Sequence, residues 1–152
     1  MKLYKLLIIS LIIFLGSCNN KKSKQESIAI WEFNCMNDTI IQKNKLVKKD
    51  INSKFLISLL NKKYNKKVKL NYIMTSKDTL FVTIEDSTII TQQMGTCGAH
   101  AYLIESTFTL TELPNINYVN FNFEGGDHAV PGTYNRKYFL NKIKINKKIN
   151  KK

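Results

Sequence analysis

Between residues 67 and 84 the chain alternates with a period of two. Val68, Leu70, Tyr72 and Met74 interleave with Lys67, Lys69 and Asn71, and beyond Ser76-Lys77-Asp78 the apolar series resumes at Leu80, Val82 and Ile84. Two half-buried strands joined by so short a polar turn predict a hairpin. Upstream the period changes. Ile51, Phe55, Leu56, Leu59 and Leu60 recur at helical spacing over Asp50–Tyr64, with Lys54, Asn61, Lys62 and Lys63 on the wet side and Asp50 placed as a cap. A second helical series, Ala99, Tyr102, Leu103, Ser106, Leu110 and Leu113, runs to Pro114 despite the β-branched Thr107, Thr109 and Thr111. Val119, Phe121 and Phe123 mark a later strand. Residues 28–33 form an early strand that is apolar on both faces, followed by an Asn37-Asp38 turn and a weaker strand over 39–47. The order β-β-α-β-β-α-β predicts one small α+β domain, a mainly antiparallel sheet with two helices on one face.

The first residues follow another logic. Lys2 and Lys5 precede an apolar run, Leu6–Leu15, that is too short for the ~20 residues of a membrane-spanning helix. Leu15-Gly16-Ser17-Cys18 then places small residues before a cysteine. A basic start, a short apolar middle and small residues describe a secretory signal. The final tetrapeptide resembles the lipobox of bacterial lipoproteins, which implies cleavage before Cys18 and acylation of its thiol. The expected organisation is a signal peptide over 1–17, a flexible tether over 18–27, a folded domain over 28–140 and a basic tail over 141–152, read as solvated. Such a chain is anchored to the membrane by lipid, in the cell envelope. Asn19, rather than Asp, after the acylated residue suits an outer membrane where a cell has two. Outside the cytoplasm Cys35 and Cys97 are able to pair, although spacing does not decide between a disulfide and two buried thiols.

Composition adds a charge pattern. The 152 residues carry a formal charge of +13, with 23 Lys against one Arg. Yet residues 78–135 contain no Lys or Arg and seven acids: Asp78, Glu85, Asp86, Glu105, Glu112, Glu124 and Asp127. An AT-rich coding bias accounts for the joint excess of Lys, Asn and Ile. No nucleic-acid partner is expected, because basic and aromatic residues do not interleave as base-stacking surfaces require.

The phrase Thr109-Leu110-Thr111-Glu112-Leu113-Pro114-Asn115-Ile116, followed by Tyr118-Val119-Asn120-Phe121 and Glu124-Gly125-Gly126, resembles the signature of the GerMN (sporulation and spore-germination) domain. The likeness spans about residues 28–126. It implies a small α+β module of envelope lipoproteins that binds or assembles and does not catalyse. It therefore brings no catalytic residues and no cofactor. Gln92-Gln93-Met94-Gly95 and Asp127–Gly132 have no counterpart in that signature.

Several residues invite chemistry. Glu124, Gly125, Gly126, Asp127, His128 and Tyr134 lie on a glycine- and proline-shaped loop that is a candidate binding surface or a broad turn. Cys97 with His100 or His128, oriented by Glu105 or Asp127, would make a small exported hydrolase. Asp127 and His128, with His100, would make a metal or small-ligand site, although no ligand spacing typical of zinc is present. Trp31, Phe33, Tyr118 and Phe123 read as core rather than as a ligand groove. The leading expectation is a non-enzymatic envelope module that recognises a protein or cell-wall component through its acidic central half.

Overall fold

A computed structural model describes residues 26–48, 51–65 and 67–146. The lipobox, Asp50 and the last six residues of the basic tail lie outside the described residues.

Strands β1 (Glu26–Asn34) and β2 (Thr39–Lys48) form an antiparallel hairpin. Its turn places Asp38 at φ +49°, a conformation that the short polar side chain tolerates. A bulge between Ala29 and Trp31 shifts the register. The extra residue is on β2, so Ala29, Trp31 and Phe33 keep their alternation on one buried face, and Ile28 is buried as well. Helix α1 (Ser53–Lys63) follows, two residues shorter at its start than its periodicity suggests. Asn52 is the cap, its Oδ1 accepting from the Phe55 amide at 3.0 Å. Asn61, expected on the wet side, instead faces strand β3 (Leu70–Ser76). Its amide donates to the Leu70 carbonyl and accepts from the Leu70 N–H, at 2.9 and 2.8 Å, as a neighbouring strand would.

Strand β4 (Thr79–Ile84) alternates as expected, with Leu80, Val82 and Ile84 buried. In β3 the alternation fails after Leu70, and Tyr72, Ile73 and Met74 are exposed. A second bulge, between Tyr72 and Met74, and the edge position of β3 explain the difference. A single π-helical turn, Ile89–Gln93, leads through Gly95 into helix α2 (Gly95–Leu110). Gly95 sits at φ +66°, where a side chain would strain the junction. Strand β5 (Tyr118–Asn122) then pairs parallel with β4, so β4–α2–β5 is a crossover unit. Strand β6 (Gly132–Tyr134), helix α3 (Arg136–Leu140) and strand β7 (Lys144–Asn146) complete the chain.

The domain is α+β and rich in antiparallel pairing, but its strands divide between two sheets, β1-β2-β7 and β3-β4-β5-β6. Strand β7 pairs parallel with β2, and Ile143 just before it is buried. The expected boundary at residue 140 is therefore corrected: 141–146 belong to the fold and not to a solvated tail. Isoleucines spaced among lysines hide such a strand, because its partner lies at the other end of the sequence.

Helix α2 is the centre of the domain. Its periodicity predicts one dry face, yet every residue from Tyr102 to Leu110 is buried. It has packing partners on several sides, with β1 of one sheet, β5 of the other, and α1 and α3 all in contact with it. The threonines are tolerated because nothing competes with the helix there. Thr111 Oγ1 donates back to the Thr107 carbonyl at 2.7 Å, whereas the hydroxyls of Ser106, Thr107 and Thr109 are buried without partners.

Candidate functional site

Because β4 and β5 run parallel, their carboxyl ends and the start of α2 share one end of the second sheet. Glu85 and Asp86 leave β4 there, and Phe123–Pro131 leave β5. The parallel register pairs Thr83 with Asn122, and Glu85 and Glu124 each follow two residues later in the chain. Asn71 Nδ2 donates to Glu85 at 3.1 Å. Asp86 accepts from the Thr88 amide at 3.1 Å, and the hydrogen bonds from Thr88 hold its carboxyl below the usual aspartate value. Crevices outside the carboxyl ends of parallel strands are frequent ligand sites in α/β sheets.

The loop itself is a docked structure. The Gly126 amide donates to the Ala129 carbonyl at 2.9 Å, and the His128 amide to the Thr91 carbonyl in the π-turn at 3.0 Å. His128 Nδ1 lies 3.1 Å from Thr96 Oγ1 at the start of α2. Ala129 is buried beneath, leaving Glu124, Gly125, Gly126 and Asp127 exposed on top. At Gly126 an added Cβ would stand 2.7 Å from Thr91 Cβ, closer than carbon atoms approach. Gly126→Ala should accordingly lift the loop off the π-turn and cost about 1–3 kcal/mol, read as a lower denaturant midpoint. Tyr134 does not share the exposed surface. It is buried, donates to the Val130 carbonyl at 2.8 Å, and stacks with Phe139 at 5.5 Å. Its expected role as a binding residue is corrected to that of an anchor at the base of the loop.

Cys97, in the first turn of α2, forms a disulfide with Cys35 at the end of β1, with Cα atoms 5.9 Å apart. Of the two alternatives left open by the sequence, the pair is the one the fold adopts. The sulfur needed by the hydrolase reading is thereby bonded and is no nucleophile. His100 lies between two aromatic rings, 5.8 Å from Phe33 and 5.9 Å from Phe139. Desolvation first, and the charge of Lys142 second, lower its pKa below 6.5, with Asp38 opposing. Folding thus disfavours the imidazolium. The unfolded chain binds the extra proton first, so stability holds above pH 6.5 and declines as pH falls toward the folded value. His100→Phe should flatten that decline in thermal melts recorded from neutral to mildly acidic pH. Among the described residues no group of three or more His, Cys, Asp or Glu side chains is placed to hold a metal ion. His128 and His100 keep separate company, one with Thr96 and the other with rings.

Two members of the acidic block point inward. Glu105, with its side chain 4% exposed, accepts from the Phe33 amide at 2.7 Å, from Lys63 Nζ at 2.7 Å and from the Tyr64 hydroxyl. Burial, followed by the nearby Glu105 charge and hydrogen bond, pushes the Tyr64 phenol above its ordinary range. Glu112 accepts from the Ala29 amide at 3.2 Å, from Trp31 Nε1 at 3.1 Å and from Arg136. The Arg136 guanidinium also donates to the Phe108 carbonyl and lies over the Trp31 and Phe108 rings. Two carboxylates, Glu105 on α2 and Glu112 in the turn just past its end, thus satisfy donors along β1, an edge strand of its sheet. The sequence carries no sign of these brackets beyond one acid in an apolar helix and one just past its end. Trp31, Phe33 and Phe123 are buried as expected. Tyr118 is exposed, since it opens β5 beyond the core.

Of the five acids that remain, Glu85, Asp86, Glu124 and Asp127 follow the carboxyl ends of β4 and β5, whereas Asp78 lies in the β3–β4 turn and accepts from Asn117 at 3.1 Å. Comparison of the chain with protein-family models, with curated proteins and with solved structures finds no match in any of the three.

Proposed function

We propose that this chain is an exported, envelope-located binding domain, held to the membrane through acylated Cys18, that recognises a cationic patch on an envelope protein or cell-wall component. The observation that carries the reading is the Cys35–Cys97 disulfide. A pair bridging two distant segments suits an oxidising compartment, as the lipobox-like Leu15-Gly16-Ser17-Cys18 does independently. The same bond removes the one candidate nucleophile, which favours binding over hydrolysis. The fixed loop over Thr91 and Thr96 supports a recognition role, since its carboxylates project from a rigid base without a lysine or arginine anywhere in residues 78–135. The resemblance of residues 109–126 to the GerMN signature fits a non-catalytic module of this kind.

Metabolic labelling with a palmitate analogue tests the anchor: label on the wild type and none on Cys18→Ser is expected. A photo-crosslinking residue at Asp127 tests the face. The expected result is a discrete adduct in intact cells, lost when Glu85 and Glu124 are changed to Lys. An unlabelled precursor, or adducts indifferent to those charges, would overturn the reading.

A further inference from the structure

A concavity lies where β1, β2 and α1 meet, with Thr109 of α2 in its lining. It encloses about 540 Å³, within the ~300–1,000 Å³ typical of small-molecule sites. Its walls are apolar: Ile30 and Trp31 from β1, Leu46 from β2, and Leu59 and Leu60 from α1. The β1–β2 register shifts at its border, where Ile30 alone spans the stretch that residues 43 and 44 occupy on β2. Ile30, Leu46 and Leu59 are only half-buried, so this apolar surface is accessible.

Charge is confined to one sign. Lys45, Lys62 and Lys63 border the concavity, and no acid lines it. Lys63 is already committed to Glu105 at 2.7 Å and reaches the Trp31 carbonyl at 3.4 Å. Lys45 and Lys62 are exposed and have no ion-pair partner among the described residues. They come from facing elements, β2 and α1, across an apolar floor. Lysine presents a compact ammonium on a long stem, able to fold over a bound head group.

We propose that this groove binds a free single-chain fatty carboxylate, with its hydrocarbon against Ile30, Trp31, Leu46 and Leu59 and its carboxylate between Lys45 and Lys62. The charge complementarity selects an anion, and the apolar walls select a tail. The inference is independent of the acidic face, which lies at the other sheet.

The chain has one tryptophan, and it lines the groove, so its fluorescence reports occupancy directly. The purified domain with its disulfide intact is titrated with dodecanoate below micelle formation, with dodecanol and butyrate as the tail-only and head-only probes. A saturable change with dodecanoate is expected, little with butyrate, and dodecanoate affinity at least about tenfold weaker in Lys45→Glu/Lys62→Glu. Leu59→Phe, which narrows the groove without touching charge, should weaken dodecanoate as well. Absence of saturation, equal affinity for dodecanol, or titrations unchanged by both variants would overturn the proposal. So would a response to anionic phospholipid vesicles with none to monomeric dodecanoate, which would make the lysines a membrane-contact surface instead.

Discussion

Reduction of the Cys35–Cys97 disulfide, or its replacement in Cys35→Ala/Cys97→Ala, should lower the unfolding free energy by about 4 kcal/mol. The size follows from the 62 residues of sequence separation that the bond closes, because a loop of that length loses considerable freedom in the unfolded chain. The enclosed segment contains β2, α1, the β3–β4 hairpin and the π-turn, so half the described fold gains from the tether. Denaturant unfolding of oxidised and reduced protein measures the difference directly. Coincident midpoints would show that the bond adds nothing beyond the packing of β1 on α2. A loss of this size is comparable with the whole stability of many small domains, so the reduced form should be partly unfolded at physiological temperature.

The second large effect is expected at Glu105. Glu105→Ala removes the acceptor for the Phe33 amide, the Tyr64 hydroxyl and the Lys63 ammonium at once. Breaking a buried pair by deleting one partner costs about 3–5 kcal/mol, because the remaining groups stay desolvated and unsatisfied. Lys63 is about a third exposed on its side chain and recovers some hydration, which places the expected loss near the lower end. Glu105→Gln keeps an acceptor for the Phe33 amide or for Tyr64 but not the charge facing Lys63. Its cost should fall to about 1–3 kcal/mol. Equal losses for Ala and Gln would assign the whole effect to charge, and near-neutral Ala would refute the bracket between α2 and β1.

What the sequence made legible is what local periodicity encodes. The alternation in β4 and the spacing in α1 and α2 survive because each is set by which side of a short element meets the core. The disulfide was open to question because two cysteines 62 residues apart come together only through the packing of β1 along α2. Three features were hidden for the same reason. Glu105 and Glu112 look like surface charges until β1 supplies amides for them to accept. Asn61 looks solvated until the edge of β3 arrives beside it. The lysine-bordered groove has walls from both sides of α1 and β2, and residues 62 and 63 read as a wet face because the strand opposite them lies far upstream. At the loop, the glycines indicated shape, but only the Thr91 contact at Gly126 says why glycine is required there.

The pairing of β7 with β2 has a consequence for how the molecule is made. Thr39 faces Lys144, so the first sheet stays two-stranded until almost the last described residue has been delivered. In a chain delivered from its amino terminus, the outer flank of β2 emerges early and waits, its peptide groups available to any neighbouring extended chain. Oxidation at Cys35 and Cys97 requires neither β6 nor β7 and is free to precede them. A covalently closed but incompletely sheeted species would then be the longest-lived assembly intermediate, and the one most exposed to quality-control proteases.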